Sequence, residues 1–263
     1  MRETSPTATL HIGSLQLPVE STTKTFAVLA KRGAGKTYTA AVLAEEFFKN
    51  GIPFVVFDPI DVWWALRQLI TELAEELLNL NDTPRHIFIE EAHEFVPQRV
   101  FGDLGRTYNA VSNLVTMGRN RGLGVTLINQ RAATMNKDVL TQIDTLLAFR
   151  NVAPQDRKAL REWVEYHATE GDFDAFIQSL PSLPTGEGWI WSPEFLNTFE
   201  RIKIRERVTF HPDREKLGNR LSYPILSTLM YSSLSNDFGI SHPKRRSKPP
   251  SSQGQRKHTR WEI

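Results

Sequence analysis

The chain has 263 residues, of which 40% are hydrophobic, and a formal net charge of +2. It contains no cysteine, which excludes disulfides, thiolate zinc sites and cysteine nucleophiles. No apolar run is long enough to cross a bilayer, and the first ten residues lack the basic and apolar regions of a secretory signal. We therefore expect a cytoplasmic protein that makes no membrane contact.

Short apolar runs alternate with longer helical patterns from residue 25 onward. The polar, Thr-rich residues 1–24 contain one short apolar patch, which predicts a hairpin or an extended lead-in. The predicted elements that follow are, in chain order, a strand at 26–29, a helix at 33–48, a strand at 54–57, a helix at 65–80, a strand at 87–89, a helix at 108–119, strands at 125–128 and 145–149, and a helix at 155–167. Beyond Gly171 the pattern weakens, and two more strands are expected at 189–191 and 202–208.

Strands that alternate with helices indicate βαβ units and a mostly parallel sheet. Continuous apolar strands indicate burial on both faces, so the sequence predicts an α/β fold with helices on both faces of the sheet. Polar residues follow the carboxyl ends of several strands, which is the edge where open α/β sheets bind ligands. We expect a lead-in at 1–24, a core at 25–210, a C-terminal extension at 211–240 and a tail at 241–263.

The tail is basic, because residues 241–263 contain seven Lys and Arg and one Glu. Its net charge of +6 leaves −4 for the other 240 residues. Such a tail can bind phosphate backbones. A solvated, disordered end rich in Ser, Pro and Lys is the alternative, and we expect disorder here.

The first predicted strand is followed by AKRGAGKT at residues 30–37, a Walker A pattern with Ala30 in place of the usual first glycine. Gly33 and Gly35 allow the backbone to turn its amides toward a phosphate, and the helix that follows adds its positive dipole end. Lys36 is predicted to contact the β- and γ-phosphates of ATP, and the Thr37 hydroxyl to bind Mg²⁺. The predicted nucleotide-binding residues are Ala30, Lys31, Arg32, Gly33, Ala34, Gly35, Lys36, Thr37 and Tyr38. A chance Gly-rich turn is the alternative, and the strand before the loop and the helix after it argue against that.

Two carboxylates, Glu90 and Glu91, end the strand predicted at 87–89. In a P-loop ATPase the first supports the Mg²⁺ shell and the second polarises the attacking water. Because adjacent residues at a strand end point to different sides, we expect Glu90 to face the metal and Glu91 the water. Aspartate is commoner at the first position, so Glu90 acts through water or binds the ion less tightly. An exposed acidic strand end is the alternative, and His93 either couples the site to a substrate or caps the local turn.

Five stretches between residues 26 and 163 together resemble the HerA–FtsK group of P-loop motors, and most closely the HerA-type ATPases. They are AKRGAGKTYTAAVLAEEF, VVFDPIDVWWALR, IFIEEAHEFVP, GRNRGLGVTLINQRAATMNKDVLTQIDTLLAFRN and QDRKALREW. The resemblance implies a RecA-like P-loop NTPase core. It also implies a homo-oligomeric, hexameric ring that pumps or unwinds double-stranded DNA with ATP, often beside a nuclease or a defence effector.

The resemblance also assigns roles to residues outside the Walker A loop. Gln130, after the fourth predicted strand of the core, is implied to be the sensor of the γ-phosphate. An arginine of 118–121 is implied to act in the neighbouring subunit's site, where it stabilises charge on the transferred phosphate. Arg119 is preferred over Arg121, and Arg150 is a weaker candidate. A surface ion pair is the alternative for any one of these arginines.

The sequence departs from the family pattern in its length. HerA-type proteins usually carry an N-terminal β-barrel, for which residues 1–24 are too few, so the resemblance covers the ATPase core only. Two other functions stay open. One is a nucleotide-binding ring scaffold with weak or no hydrolysis that recruits an effector. The other is a small P-loop NTPase or kinase, against which the adjacent carboxylates argue because they suit water activation.

Overall fold

A seven-stranded mixed sheet is the centre of the fold in the computed structural model, which describes residues 9–58, 63–80, 83–102, 104–164 and 170–209. By its internal contacts the chain divides into two compact units, Met1–Lys216 and Leu217–Ile263. All described residues belong to the first unit. The predicted C-terminal extension at 211–240 and the basic tail at 241–263 lie outside the described residues.

The sheet is parallel over five strands and antiparallel at one side. Its order is β4-β5-β6-β3-β7-β8-β9, in which β8 and β9 run antiparallel to their neighbours. The strands are β1 Thr9–His11, β2 Gln16–Pro18, β3 Thr25–Leu29, β4 Phe54–Phe57, β5 Arg85–Ile89, β6 Leu123–Asn129, β7 Thr145–Ala148, β8 Glu187–Ser192 and β9 Thr198–Lys203. The predicted α/β fold with a mostly parallel sheet is confirmed.

Six helices connect or flank these strands. They are α1 Lys36–Lys49, α2 Trp63–Leu80, α3 Leu104–Met117, α4 Lys137–Leu140, α5 Pro154–Val164 and α6 Glu170–Ser179. Every residue of β3, β6 and β7 is buried, and since side chains alternate between the faces of a strand, both faces of the sheet are covered. No helix in the described ranges is both long and apolar enough to cross a membrane.

The lead-in forms a β1–β2 hairpin that packs into the same hydrophobic core as the sheet. Leu10 and Leu17 of the hairpin are fully buried in a cluster that includes Phe47 of α1. Gly13 forms an antiparallel bridge with Ile204, and a Cβ at Gly13 would lie 1.9 Å from the Lys203 carbonyl oxygen. The hairpin therefore closes over the end of β9.

The strand order brings three loops to one edge of the sheet. Strand β6 lies between β3 and β5, with Leu29 paired to Asn129 and Ile89 paired to Leu127. Because these strands are parallel, their carboxyl ends meet at the same edge. The segments at 30–35, 90–91 and 129–131 therefore lie side by side.

Candidate functional site

The loop at residues 30–35 connects β3 to α1 and has the backbone of a phosphate-binding turn. Gly33 and Gly35 have φ angles of 76° and 107°, which L-residues with side chains rarely adopt. The φ angle of Ala30 is not positive, and the residue is fully buried. Its N–H donates to the Asn129 carbonyl oxygen at 3.2 Å. Alanine is thus compatible with this position.

Two neighbouring segments hold the loop in place. The Lys31 N–H donates to the Arg150 carbonyl oxygen at 2.9 Å, which ties the loop to the end of β7. On the other side, the Gly186 N–H donates to the Ala34 carbonyl oxygen at 3.4 Å. In the part of the chain that the structure describes, the N–H of Gly33 has no acceptor, so this donor is available to a phosphate.

The ammonium group of Lys36 lies between the two carboxylates of the acidic pair. Its Nζ is 3.4 Å from Glu90 Oε2 and 3.3 Å from Glu91 Oε1. The Gln130 side-chain amide donates a short hydrogen bond to the same Glu91 oxygen. The ends of β5 and β6 and the start of α1 therefore bring four predicted site residues into one connected cluster.

Both carboxylates approach the Lys36 ammonium group, but Glu90 also neighbours Thr37 whereas Glu91 also contacts Gln130. The division of tasks between metal and water therefore stays a prediction. Glu91 is in the left-handed region, with φ 45° and ψ 48°, so the chain reverses where an extended strand would continue. A non-glycine residue there costs of order 1–3 kcal/mol, and such strain tends to occur at functional sites. The turn that Glu91 begins is closed by the Glu94 N–H, which donates to the Glu91 carbonyl oxygen at 2.9 Å.

Glu90 and Thr37 form the pair of oxygen ligands that Mg²⁺ would need here. Glu90 is only 6% exposed, and the Thr37 side chain neighbours its carboxylate. Burial, aided by the charge of Asp58, raises the pKa of Glu90 although Lys36 and Thr37 oppose the shift. Among the described residues no group of three or more acidic or His side chains is arranged to hold a metal ion, so Mg²⁺ would be bound by one or two protein oxygens plus phosphate and water.

Arg119 and Arg121 lie at the opposite edge of the sheet from Lys36. They belong to the short 3-10 turn Gly118–Arg121, which leads into the first residue of β6, whereas the site lies beyond its last residue. The seven residues of β6 span roughly 20 Å at 3.3 Å per residue. Neither guanidinium is therefore part of the chain's own nucleotide site.

The Arg119 side chain is 62% exposed, and its Nη1 is 3.9 Å from Asp144 Oδ1, the outer limit of an ion pair. It borders a cavity of about 670 Å³, which is also lined by Asp144, Glu162 and Trp163. Arg150 follows the carboxyl end of β7, at the opposite edge of the sheet from the turn Gly118–Arg121, and therefore lies beside the 30–35 loop of its own chain. Its Nη2 is 3.5 Å from Thr185 Oγ1.

Two groups of contacts beside the site go beyond what the sequence predicts, although the sequence assigns Tyr38 to nucleotide binding and leaves the role of His93 open. The Tyr38 hydroxyl accepts a hydrogen bond from the Arg207 N–H at 2.6 Å, so the segment after β9 reaches the first turn of α1. His93, Glu94 and Arg67 form a chain of contacts that begins beside Glu91. The polar residue Asn129 at the end of β6 could have predicted that His93 has a polar partner there. Nothing in the local sequence pattern indicates the contacts of Arg67 or Arg207.

Two family models match the chain. The model for the central domain of the helicase HerA matches residues 14–90, and the model for the helicase HerA-like C-terminal domain matches residues 61–219. Among curated proteins, a probable helicase of Methanocaldococcus jannaschii is 31% identical over 125 residues, 47% of this chain and 22% of that protein. The DNA double-strand break repair helicase HerA of Pyrococcus furiosus is 32% identical over 74 residues, 28% of this chain and 13% of that protein. The matched part is a quarter or less of each relative.

Solved structures show where else this fold occurs. The pCW3 conjugation coupling protein TcpA, solved with ATPγS, has a TM-score of 0.57 and 14% identity over 76% of this chain and 66% of that one. The genome packaging NTPase B204 of Sulfolobus turreted icosahedral virus 2, also with ATPγS, has a TM-score of 0.52 and 13% identity over 69% of this chain and 97% of that one. At these identities the likeness shows a shared P-loop ATPase fold. The model for the HerA-like C-terminal domain matches more than half of the chain, and the structure has the P-loop ATPase fold. The chain therefore belongs to the HerA-type family of P-loop ATPases.

Proposed function

We propose that this chain hydrolyses ATP with Mg²⁺ and uses the energy to move double-stranded DNA through an oligomeric ring. The observation that supports hydrolysis best is the convergence of Lys36, Glu91 and Gln130 at the mouth of the 30–35 loop. A carboxylate beside the phosphate-binding loop suits activation of water, whereas a kinase needs a binding site for the substrate that accepts the phosphate. The small NTPase or kinase is therefore the less favoured alternative.

Each residue has one task in this proposal. The loop amides and Lys36 bind the phosphates, and Thr37 with Glu90 would hold Mg²⁺, which would supply charge neutralisation for the phosphates. Glu91 accepts a proton from the attacking water. Gln130, which already donates to Glu91, orients that carboxylate toward the γ-phosphate.

The ring is supported by the position of Arg119. A guanidinium roughly 20 Å from its own site can act in hydrolysis only in a neighbouring copy. The names of the relatives, a double-strand break repair helicase and a genome packaging NTPase, support DNA as the substrate. We propose a homo-hexamer, with a nuclease or another effector as a partner.

The first test is the Glu91→Gln variant. We expect it to bind ATP as the native chain does and to lose ATP turnover by at least about 100-fold, because an amide cannot accept the proton of the water. Glu200→Gln is the matched control, since Glu200 is an exposed residue of β9 far from the loop. Native turnover in Glu91→Gln would show that Glu91 is not the base.

One assay separates the proposed motor from its alternatives. ATP turnover is measured with and without double-stranded DNA, beside the mass of the protein in solution. Stimulated turnover by a hexamer supports the motor, and DNA-indifferent turnover by a monomer supports a small NTPase. A nucleotide-dependent ring without turnover supports the scaffold. That alternative remains because Glu90 occupies a position where aspartate is commoner.

A further inference from the structure

Arg150 follows the carboxyl end of β7 and lies alongside the 30–35 loop. Its carbonyl oxygen accepts from the Lys31 N–H at 2.9 Å, and the Phe149 N–H donates to the Leu29 carbonyl oxygen at 2.9 Å. The buried Asn151 side chain donates to the same Leu29 oxygen at 3.4 Å. Residues 149–151 therefore continue the pairing of β7 with β3 into the phosphate-binding loop, and the backbone on both sides of the Arg150 side chain is fixed.

The Arg150 side chain is half-buried and is connected to the same loop through one hydroxyl group. Its Nη2 donates to Thr185 Oγ1 at 3.5 Å, and that hydroxyl donates to the Gly33 carbonyl oxygen at 3.5 Å. The neighbouring Gly186 N–H donates to the Ala34 carbonyl oxygen at 3.4 Å. The two bonds of Thr185 are long for hydrogen bonds. The guanidinium therefore lies beside the loop while its contacts with the protein are weak.

The guanidinium of Arg150 lacks the partners that a buried charge normally has. Its Nε is buried and has no acceptor among the residues that the structure describes, and none of their carboxylates forms an ion pair with it. The half-buried Arg205, by contrast, contacts the carboxylates of both Glu45 and Glu46. Because buried charged donors are normally paired, an unpaired one beside a binding loop indicates that a ligand supplies the acceptor.

Two further cations of the loop point to the charge of this ligand. Lys31 and Arg32 are exposed, and neither forms an ion pair with a described residue, whereas Lys36 contacts the acidic pair. Lys31, Arg32 and Arg150 thus leave a positive charge around one short loop. A chain of phosphates would neutralise this charge, and the planar guanidinium of Arg150 matches the geometry of phosphate oxygens.

We infer that Arg150 binds the phosphates of the nucleotide in the site of its own chain. This inference rests on the proposed binding of ATP by the 30–35 loop. It differs from the sequence expectation, in which Arg150 is a weaker candidate for the arginine that acts in a neighbouring subunit. Arg119 is placed for that other role, because it lies at the opposite edge of the sheet, whereas Arg150 lies against the loop of the same chain.

The first test measures two properties of an Arg150→Met variant of the full chain. We expect its affinity for ATP to fall by about 10- to 100-fold, because hydrogen bonds between a charged group and the phosphates are lost. The thermal midpoint of the variant without nucleotide should not fall, since the substitution removes an unpaired buried donor. Arg150→Lys, which keeps the charge but not the planar fork of donors, should lose less affinity.

Arg201→Met is the matched control. It removes an arginine whose partner Glu187 directly follows Gly186, at a half-exposed position away from the loop, and it should bind ATP as the native chain does. If Arg150→Met bound ATP within about twofold of the native affinity, Arg150 would not contact the phosphates. A thermal midpoint of nucleotide-free Arg150→Met below that of the control would also overturn the inference, because Arg150 would then stabilise the loop rather than bind a ligand.

The second test shows to which subunit's site Arg150 belongs. Arg150→Met is mixed in equal amounts with Glu91→Gln, and turnover is measured at an ATP concentration below the native KM. Because no chain in this mixture has both Glu91 and Arg150, binding within one chain predicts no turnover beyond that of the separate variants. A role in the neighbour's site predicts recovery at roughly one interface in four, and that result would overturn the inference.

The two proposals fail in different ways. Affinity for ATP does not require hydrolysis, so the binding measurement decides the role of Arg150 even in a chain without turnover. Absence of ATP turnover from the native chain would overturn the proposed function, whereas unchanged ATP binding by Arg150→Met would overturn the present inference alone.

Discussion

For several residues of this protein, the backbone conformation or the surroundings of the side chain cannot be predicted from the local sequence. Glu91 is one example, because a left-handed backbone at one residue turns its carboxylate toward Lys36. His86 is another. It is fully buried in the first half of β5, where Nδ1 lies 2.7 Å from the Thr22 carbonyl oxygen and Nε2 lies 2.7 Å from Thr126 Oγ1. The carbonyl accepts from the Nδ1–H and the hydroxyl donates to Nε2, so a neutral ring satisfies both partners.

The neutral His86 makes stability depend on pH. Burial lowers its pKa from 6.5 to about 4 in the folded chain, although the hydrogen bond to Thr22 opposes the shift. The unfolded chain therefore binds a proton that the folded chain does not between these pH values. Stability from this residue is complete above pH 6.5 and is lost as the pH falls to 4, by up to about 3 kcal/mol.

Urea unfolding of the native chain and of His86→Gln between pH 7 and pH 4 measures this contribution. Carboxylates add to the slope in both chains, so the difference between the two slopes isolates His86. Glutamine can donate to Thr22 and accept from Thr126, which keeps both hydrogen bonds of the ring. Parallel pH profiles for the two chains would show that His86 is not the buried neutral base described here.

At the scale of elements, helix α1 is held by the segment that follows β9. Arg205 donates to Glu45 at 2.8 Å and to Glu46 at 2.9 Å, and Glu45 also accepts from the backbone of Thr209 at 2.7 Å. Burial alone would raise the pKa of Glu45, but hydrogen bonds from Thr209, Arg205 and Val208 lower it to about 2. The helix that begins with Lys36 and Thr37 is thereby fixed against the end of the sheet.

Removing the Arg205 charge should weaken this attachment. We expect Arg205→Gln to lower the free energy of unfolding by about 2 kcal/mol, because it leaves the buried Glu45 carboxylate without its cation and leaves Glu46 with Lys49 alone. Thermal or urea unfolding measures the change. Arg201→Gln is the control, since Arg201 pairs with Glu187 at a half-exposed site and should change stability by less than about 0.5 kcal/mol. Equal effects of the two variants would contradict a special role for Arg205.

At the scale of the whole molecule, the two edges of the sheet carry different parts of the proposed hydrolysis site. The carboxyl edge holds the 30–35 loop, the acidic pair and Gln130, whereas Arg119 lies at the amino edge. A complete site then needs the carboxyl edge of one copy and the amino edge of another. Such a head-to-tail contact is heterologous and closes into a ring when its rotation allows.

Mixing two inactive variants tests this division. We expect Glu91→Gln and Arg119→Ala each to lose ATP turnover by at least about 100-fold, since an arginine finger is worth that much or more. An equimolar mixture should recover turnover, because roughly one interface in four pairs an intact Glu91 with an intact Arg119. A mixture of Glu91→Gln with the Glu91→Gln, Arg119→Ala double variant should stay inactive. Failure of the first mixture to recover would remove Arg119 from the neighbour's site.

Local pattern was sufficient to predict most of the sheet. The strand predicted at 54–57 matches β4, and those predicted at 26–29, 87–89, 125–128 and 145–149 each lie within a residue or a few residues of the observed ones. Continuous apolar runs identify strands that are covered on both faces, as β3 and β6 are. The same pattern missed α4, which has four residues and begins at the cap Asn136, and it missed α6, because short helices show too little periodicity.

The sequence by itself determined the family, the phosphate loop and the identity of the acidic pair, because each depends on residues that are neighbours in the chain. Only the tertiary structure decided where their atoms meet. The contacts of Arg205 with Glu45 span 160 residues, and those of Gln130 with Glu91 span 39. Periodicity reports which face of an element is buried, but not which distant side chain meets it there. The left-handed turn at Glu91 and the contacts from His93 to Arg67 therefore became visible only once β5, β6 and α2 were packed together.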